Sequence, residues 1–300
     1  MSGPGERIAA IDVGSNTILL TVAEYDPEAG LVVIETGEDQ PRLGAGLGAS
    51  GRLSEEGIAR ALQSLTRMRD TCRRLGVRRL SAVATAAVRE AGNGAEFVER
   101  VRALDIPLQV VSAETEAALS YRSAAHHFPF GGRTLVADIG GGSLELVGAV
   151  NGRVRLSRSL PLGAVRLTEL QLPLPQLRRR IQAELEAAVP GDWAGASVIG
   201  SGGTFATMAS MTLARRGSSG GPIHGVHITA DEVGELLDWL AAMPVDQRRQ
   251  VAGLKPERAD IIVAGIAVAA ELLEGVKAGA VTVSGFGLRD GVLLEMVGLE

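Results

Sequence analysis

The chain contains the same passage twice. "RIAAIDVGSNTILLTVAEYDPEAGLVVIE", from Arg7, and "TLVADIGGGSLELVGAVNGRVRLSRSL", from Thr134, share one order: apolar run, Asp-x-Gly turn, apolar run, second turn, third run. Asp138 falls on Asp12, Gly140 on Gly14, Ser143 on Thr17 and Leu146 on Leu20. An internal repeat constrains the fold strongly, because both copies must bury equivalent faces in equivalent ways. In the first copy the second turn is expected at Pro27 to Gly30. Helical spacing alternates with short apolar runs around the copies: "EEGIARALQSLTRMRDTCRRLG" behind Ser54, then "LSAVATAAV", "GAEFVERVRALD", "PLQVVSA" and "TEAALSYRSAAHHF". The alternation predicts an α/β architecture. The repeat predicts two related domains facing each other, with the two Asp-x-Gly turns on opposite walls of one cleft.

The turns themselves point to an anion. Successive glycine, serine and threonine residues expose backbone N–H groups that form an anion-binding nest without side-chain charge. Gly14, Ser15, Asn16 and Thr17 form the first such turn, and Gly140, Gly141, Gly142 and Ser143 the second. A third, Gly202, Gly203 and Thr204 in "VIGSGGTFATMA", comes after another apolar run; a fourth lies in "VTVSGFGLRDGVLLEM". Phosphate is the ligand this chemistry suits. No G-x-x-x-x-G-K-[ST] motif is present, which excludes a P-loop. "GAGLGA", Gly44 to Ala49, lacks a strand–turn–helix context and reads as a loop, as does "RRGSSGGPIHG".

Composition narrows the classes further. Hydrophobic residues make up 46% of 300 but aromatics only 3%, so the core must be aliphatic. A net charge of −5 argues against general nucleic-acid or membrane-surface binding while leaving room for a local basic groove. Cys72 is the single cysteine, which leaves no intramolecular disulfide and no cysteine metal site; it is expected to pack on a helix face. His224 and His227 stand three apart without a third ligand, and His126 and His127 are expected at the surface or between domains. The opening "MSGPGERIAAIDVG" is interrupted too soon by Asp12 to read as a secretory signal, and no run of about 18 apolar residues reads as a membrane span. The expectation is a soluble cytoplasmic protein.

"AAIDVGSNT", "PRLGAGL", "AVATAAVRE", "VVSAETEA", "DIGGGSLEL", "LPLGAVRLTE", "GSGGTFATMA", "KPERADII" and "VSGFGLRDGVLLE" occur in this order along nearly the whole chain. Here the sequence resembles the Ppx/GppA phosphatases, the exopolyphosphatase and guanosine pentaphosphate phosphohydrolase family. The resemblance implies two ribonuclease H-like domains of the actin, sugar-kinase and Hsp70 ATPase fold group flanking a cleft. Domain I is expected at 1–113 plus 287–300, and domain II at 114–286. The activity implied is Mg²⁺-dependent hydrolysis of the terminal phosphate of linear inorganic polyphosphate, or alternatively of pppGpp, by a homodimer. By motif, Glu116 corresponds to the catalytic base and Glu145 to a second essential carboxylate. Asp12 and Asp138, with Glu145, would hold the metal; Arg89 and Arg258 would bind phosphate. Thr115, Ala113 and Leu19 depart from the family pattern. The repeat singles out Glu145 independently: its counterpart is Leu19, so one copy alone carries the carboxylate. Arg89, Arg166 and Arg258 are candidates for a cationic track along a long polyanion. Readings of other classes are a small-molecule kinase of the same fold, and a sensor of polyphosphate or alarmone without activity.

Overall fold

The computed structural model describes residues 5–26, 28 and 30–299. Pro27 and Ala29, in the turn expected at 27–30, lie outside the described residues. The chain divides into two compact units, Met1–His126 with Leu288–Glu300, and His127–Gly287.

The first unit holds strands β1 (Arg7–Val13), β2 (Ile18–Asp26), β3 (Gly30–Asp39), β4 (Arg79–Ala84) and β5 (Leu108–Val110), in the order β3-β2-β1-β4-β5. β1, β2 and β3 pair antiparallel, whereas β4 and β5 continue parallel to β1. Its helices are α1 (Leu47–Ser50), α2 (Glu55–Arg74), α3 (Ala86–Glu90), α4 (Gly94–Arg102) and α5 (Ala113–His127). β1 alternates its side chains between two cores, as a strand buried on both faces must. Ala9, Ile11 and Val13 join Ile58, Leu65 and Phe97 on one side. Ile8 and Ala10 join Val83 and Leu119 on the other. α2 begins where expected: the Ser54 hydroxyl accepts from the Gly57 N–H at 3.1 Å, and Glu55 and Glu56 favour the helix N-terminus.

The second unit repeats the plan. β6 (Arg133–Ile139), β7 (Leu144–Val150), β8 (Arg153–Leu160), β9 (Ser197–Ser201), β10 (His227–Thr229) and β11 (Ala280–Val283) run in the order β10-β11-β9-β6-β7-β8. Its helices are α6 (Ala164–Glu169), α7 (Leu174–Ala188), α8 (Gly202–Arg215), α9 (Ala230–Ala241), α10 (Val245–Arg248) and α11 (Ile262–Gly275). α11 is apolar almost all round and lies inside the core with Ile181, Met208 and Leu237. The repeat holds at the level of pairing: Asp12 stands opposite Leu19 across β1 and β2, and Asp138 opposite Glu145 across β6 and β7. Each unit thus carries the ribonuclease H-like order, an antiparallel three-stranded meander continued by parallel strands.

The division of the chain differs from the sequence expectation at Glu114. α5 belongs with the first unit because Leu119 packs beside Ile8, Ala10 and Val83. A last helix, α12 (Leu288–Val297), belongs there too and adds Leu288, Val292 and Leu293 to that core. Gly291 allows the close approach: a Cβ there would lie 2.7 Å from the Leu119 carbonyl carbon. Among the described residues no helix is long and apolar enough to cross a membrane.

Candidate active site

Both Asp-x-Gly turns are closed in the same way. The Gly14 N–H donates to the Thr17 carbonyl at 3.0 Å, and the Gly140 N–H to the Ser143 carbonyl at 3.0 Å. The segment after the third strand of each meander then fixes the outward face of the turn. In the second unit the Gly140 carbonyl accepts from Ala164 N–H at 3.0 Å and the Gly141 carbonyl from Val165 N–H at 2.9 Å. The Gly142 carbonyl accepts from Arg166 Nε at 2.8 Å. These peptides are trans, so each N–H points opposite to its own carbonyl. With three carbonyls drawn toward α6, the N–H groups of Gly141, Gly142 and Ser143 point away from it as a group. In the first unit the Ser15 carbonyl accepts from Gly44 N–H at 2.7 Å and the Asn16 carbonyl from Arg42 N–H at 3.0 Å. The N–H groups of Asn16 and Thr17 are turned outward by the same reasoning.

The anchoring loops are themselves a repeat that the sequence reading overlooked. Leu43-Gly44-Ala45 and Leu162-Gly163-Ala164 occupy matching places after β3 and β8. Both glycines are required by close approach. A Cβ on Gly44 would lie 2.9 Å from Ser15 Cβ, and one on Gly163 would collide with the backbone of Gly141 and Gly142. Gly140 to Gly142 therefore serve two ends, an outward row of donors and tight packing behind it. In "GAGLGA" only Gly44 to Gly46 form a turn, with Gly46 in the left-handed conformation; Leu47 to Ala49, expected in a loop, belong to the short helix α1.

In the second unit Asp138 and Glu145 are direct cross-strand partners, so their side chains share one face of the sheet. Glu145 is 3% exposed and accepts from the Ser159 hydroxyl at 2.9 Å. Asp138 accepts from the Ser201 hydroxyl at 2.8 Å. Gly202, with φ +85°, has no room for a side chain because Asp138 Oδ1 occupies that space. Gly203 is likewise covered by the Arg258 guanidinium. The third glycine turn thus packs onto Asp138 and opens α8, whose first N–H groups lack a side-chain cap. Thr204 is different. Its hydroxyl is turned into the core against α11, where a Cβ on Gly265 would lie 2.6 Å from Oγ1.

In the first unit Glu116 is 7% exposed and pairs with Arg89, Nη1 to Oε2 at 2.8 Å. The same Nη1 donates to the Val111 carbonyl at 3.0 Å. Burial and pairing exclude a merely solvated charge on the first turn of a helix. Ser112 starts α5, its hydroxyl accepting from Thr115 N–H at 3.2 Å and its carbonyl from Glu116 N–H at 2.9 Å. Glu114, exposed in the same turn, is held below the usual carboxylate range by a backbone hydrogen bond first and the Ser112 hydroxyl second. One charged residue was not singled out by the sequence reading. Arg289 of α12 donates to the Leu20 carbonyl at 2.9 Å and to Thr21 Oγ1 at 3.0 Å. Burial lowers its pKa, and the charges of Asp12, Glu38 and Asp290 oppose that shift. "GLRD" carries no periodic signal that would have placed its arginine beside Asp12, whose own cross-strand partner is Leu19 rather than a carboxylate.

Two of the histidines join an aromatic cluster with Phe286. His127 stacks on Phe286 at 3.8 Å between ring centroids, and His224 meets both rings edge-on at 5.6 and 5.0 Å. His227 Nδ1 lies 3.4 Å from Thr282 Oγ1. Among the described residues no group of three or more His, Cys, Asp or Glu side chains is gathered as a metal site.

Known proteins are similar to this chain along nearly its whole length. Exopolyphosphatase 1 of Mycobacterium tuberculosis is 30% identical over 307 residues, covering 98% of this chain and 89% of that one. The guanosine-5'-triphosphate,3'-diphosphate pyrophosphatase of Vibrio parahaemolyticus is 28% identical, over 99% of this chain and 60% of that one. The crystal structure of an exopolyphosphatase from Cytophaga hutchinsonii superposes with a TM-score of 0.91 at 25% identity, over 98% of this chain and 99% of that one. The model of the Ppx/GppA phosphatase family matches residues 21–300. With both sheets, both glycine turns and their carboxylates in place, the chain belongs to the Ppx/GppA phosphatase family.

Proposed function

We propose that this protein is an exopolyphosphatase, releasing the terminal phosphate of linear inorganic polyphosphate by hydrolysis. The observation that carries the reading is the outward row of N–H groups at Gly141, Gly142 and Ser143 beside the paired carboxylates Asp138 and Glu145. Phosphoryl transfer depends on positioning and on neutralised phosphate oxygens. The second unit supplies both: backbone donors for oxygens that gain charge in the transition state, and Arg258 packed on the start of α8. The proposed base is Glu116, which pairs with Arg89 and would orient a water molecule and accept its proton.

Magnesium is part of this reading. Asp138 and Glu145 offer oxygen donors only, and like charges directly opposite each other on a sheet repel unless a cation lies between them. Mg²⁺ is commonly held by one or two carboxylates, with water and substrate phosphate completing its shell. Bound there, it would supply charge neutralisation to the phosphate oxygens. Asp12, whose charge acts on the buried Arg289, is the further candidate ligand.

The pppGpp reading is favoured by one specific observation. The rings of His127, His224 and Phe286 gather next to Gly287, where a Cβ would lie 3.7 Å from Asp138 Oδ2. A guanine base has a stacking partner there that polyphosphate does not need. Phosphate release with Mg²⁺ from long-chain polyphosphate, tripolyphosphate, pppGpp and ATP, compared by kcat/KM, tests both. Preference for long chains is expected. Preference for pppGpp would replace the first reading with the second, and no release from any of them would remove both.

A further inference from the structure

Four polar side chains stand in one row across the second sheet. Ser201 on β9 is the register partner of Asp138 on β6, Asp138 of Glu145 on β7, and Glu145 of Ser159 on β8. Residues in register on neighbouring strands lie on the same face of the pleat. The row therefore reads Ser-Asp-Glu-Ser on the face that carries both carboxylates. Each serine bonds the acid beside it. Ser201 Oγ lies 2.8 Å from Asp138 Oδ2, and Ser159 Oγ lies 2.9 Å from Glu145 Oε1. An ionised carboxylate only accepts, so both hydroxyls donate.

Two observations separate these bonds from incidental polar contacts. Ser201 is the N-cap residue of α8, where a serine hydroxyl ordinarily accepts from the first N–H groups of the helix. Here it makes no such cap. It is 1% exposed, and its hydroxyl is turned to Asp138 instead. The internal repeat supplies the second observation. The same row in the first sheet reads Val83, Asp12, Leu19 and Glu38. The copy with a single central acid has no flanking hydroxyl. The copy with two central acids has a hydroxyl on each side.

We propose that Ser159 and Ser201 are positioning residues for a divalent cation, holding the Glu145 and Asp138 carboxylates from the two outer sides of the pair in the orientation that receives Mg²⁺. This rests on the magnesium reading above. Like charges side by side on a sheet repel, and a glutamate side chain has the freedom to swing away from its neighbour. A donor on the outer flank of each acid opposes that movement. It also leaves the acid able to bind the cation, because a carboxylate has acceptor sites for several partners. Groups that hydrogen-bond a metal-binding carboxylate in this way orient it and set its affinity. Neither serine is a ligand here; each acts through its acid.

The test compares Ser159→Ala, Ser201→Ala, Ser159→Thr and Ser157→Ala with the unaltered protein, all as the whole chain. Ser157 is exposed on the same strand, opposite Val147 rather than an acid. Mn²⁺ shares the preference of Mg²⁺ for carboxylate and water oxygens. It is titrated into each protein without substrate and followed by electron paramagnetic resonance. The Mg²⁺ concentration for half-maximal phosphate release from tripolyphosphate is measured alongside, with a melting curve as the control for folding. Ser159→Ala and Ser201→Ala should each weaken Mn²⁺ binding about 10- to 100-fold and raise the Mg²⁺ requirement by a similar factor. Saturating Mg²⁺ should restore most of the turnover, because the serines touch no reacting atom. Ser159→Thr keeps the hydroxyl and should bind Mn²⁺ like the unaltered protein, as should Ser157→Ala. Unchanged Mn²⁺ affinity in either folded alanine variant would overturn the role of that serine. A loss of equal size in Ser157→Ala would overturn the role of Ser159, since any change to β8 would then have the same effect. If Ser201→Ala does not fold, the pair Ser159→Ala and Ser159→Thr decides. An unaltered protein that binds no Mn²⁺ would remove the magnesium reading and this one together, whereas binding indifferent to both serines would remove this one alone.

Discussion

Glu116 is a buried acid that pairs with Arg89. Glu116→Gln keeps the shape and loses the basic carboxylate, so phosphate release should fall by about 10² to 10⁴ with polyphosphate binding retained. Near-normal turnover in the folded variant would reject Glu116 as the base. Arg89→Met should remove that ion pair from a buried carboxylate and cost about 2–3 kcal/mol of stability. Combining it with Glu116→Gln should recover most of the loss in a denaturant melt; additive losses would mean that Arg89 stabilises the fold by another route. Cys72 gives a pH prediction. Burial pushes its thiol up to about 11, with a backbone hydrogen bond opposing. The native state therefore holds this proton more tightly than the unfolded chain, and stability must decline as pH rises from about 9 through about 11. Cys72→Ser should flatten that part of a melting-temperature profile. An unaltered profile would show that another group titrates there.

The glycine turns act as elements, each consisting of a hairpin and the Leu-Gly-Ala loop that ties its carbonyls back. Gly163→Ala tests the tie in the second unit. Its Cβ would strike the backbone of Gly141 and Gly142, which cannot move aside as a flexible side chain can. Loss of about 2 kcal/mol or more and a sharp fall in activity are expected. Gly131→Ala is the control, since a Cβ there meets nothing within 4 Å. If both variants melt and turn over like the unaltered protein, the turn is not held from behind. The turns were legible in sequence because glycine clusters after apolar runs are local signals. The ties were not, because Gly44 and Gly163 make their contacts with residues distant in the chain.

At the scale of the whole molecule the chain leaves its first unit after α5 and returns to it at α12. The core around Ile8, Ala10, Val83 and Leu119 is completed by Leu288, Val292 and Leu293, nearly three hundred residues from the start. Removing 288–300 should therefore uncover the part of that face on which α12 packs and abolish cooperative melting of that unit. Adding the segment back as a separate peptide should restore part of it. A truncated chain with an unchanged melting curve would show that α12 is peripheral.

Sequence alone determined what local pattern can carry. The strand–helix alternation, the cap at Ser54 and the two Asp-x-Gly hairpins arise from spacing within single elements and turns, and the repeat from comparing two such stretches. So does the Asp138–Glu145 pairing, because a four-residue turn leaves an antiparallel hairpin one register. Tertiary structure decided whatever depends on pairs far apart in the chain. It set Arg89 against Glu116, turned Thr204 into the core, brought Arg289 to the first hairpin, and placed α5 with the first sheet. Each of these is a contact between segments whose local sequences are compatible with many neighbours, and burial of the shared core selects one.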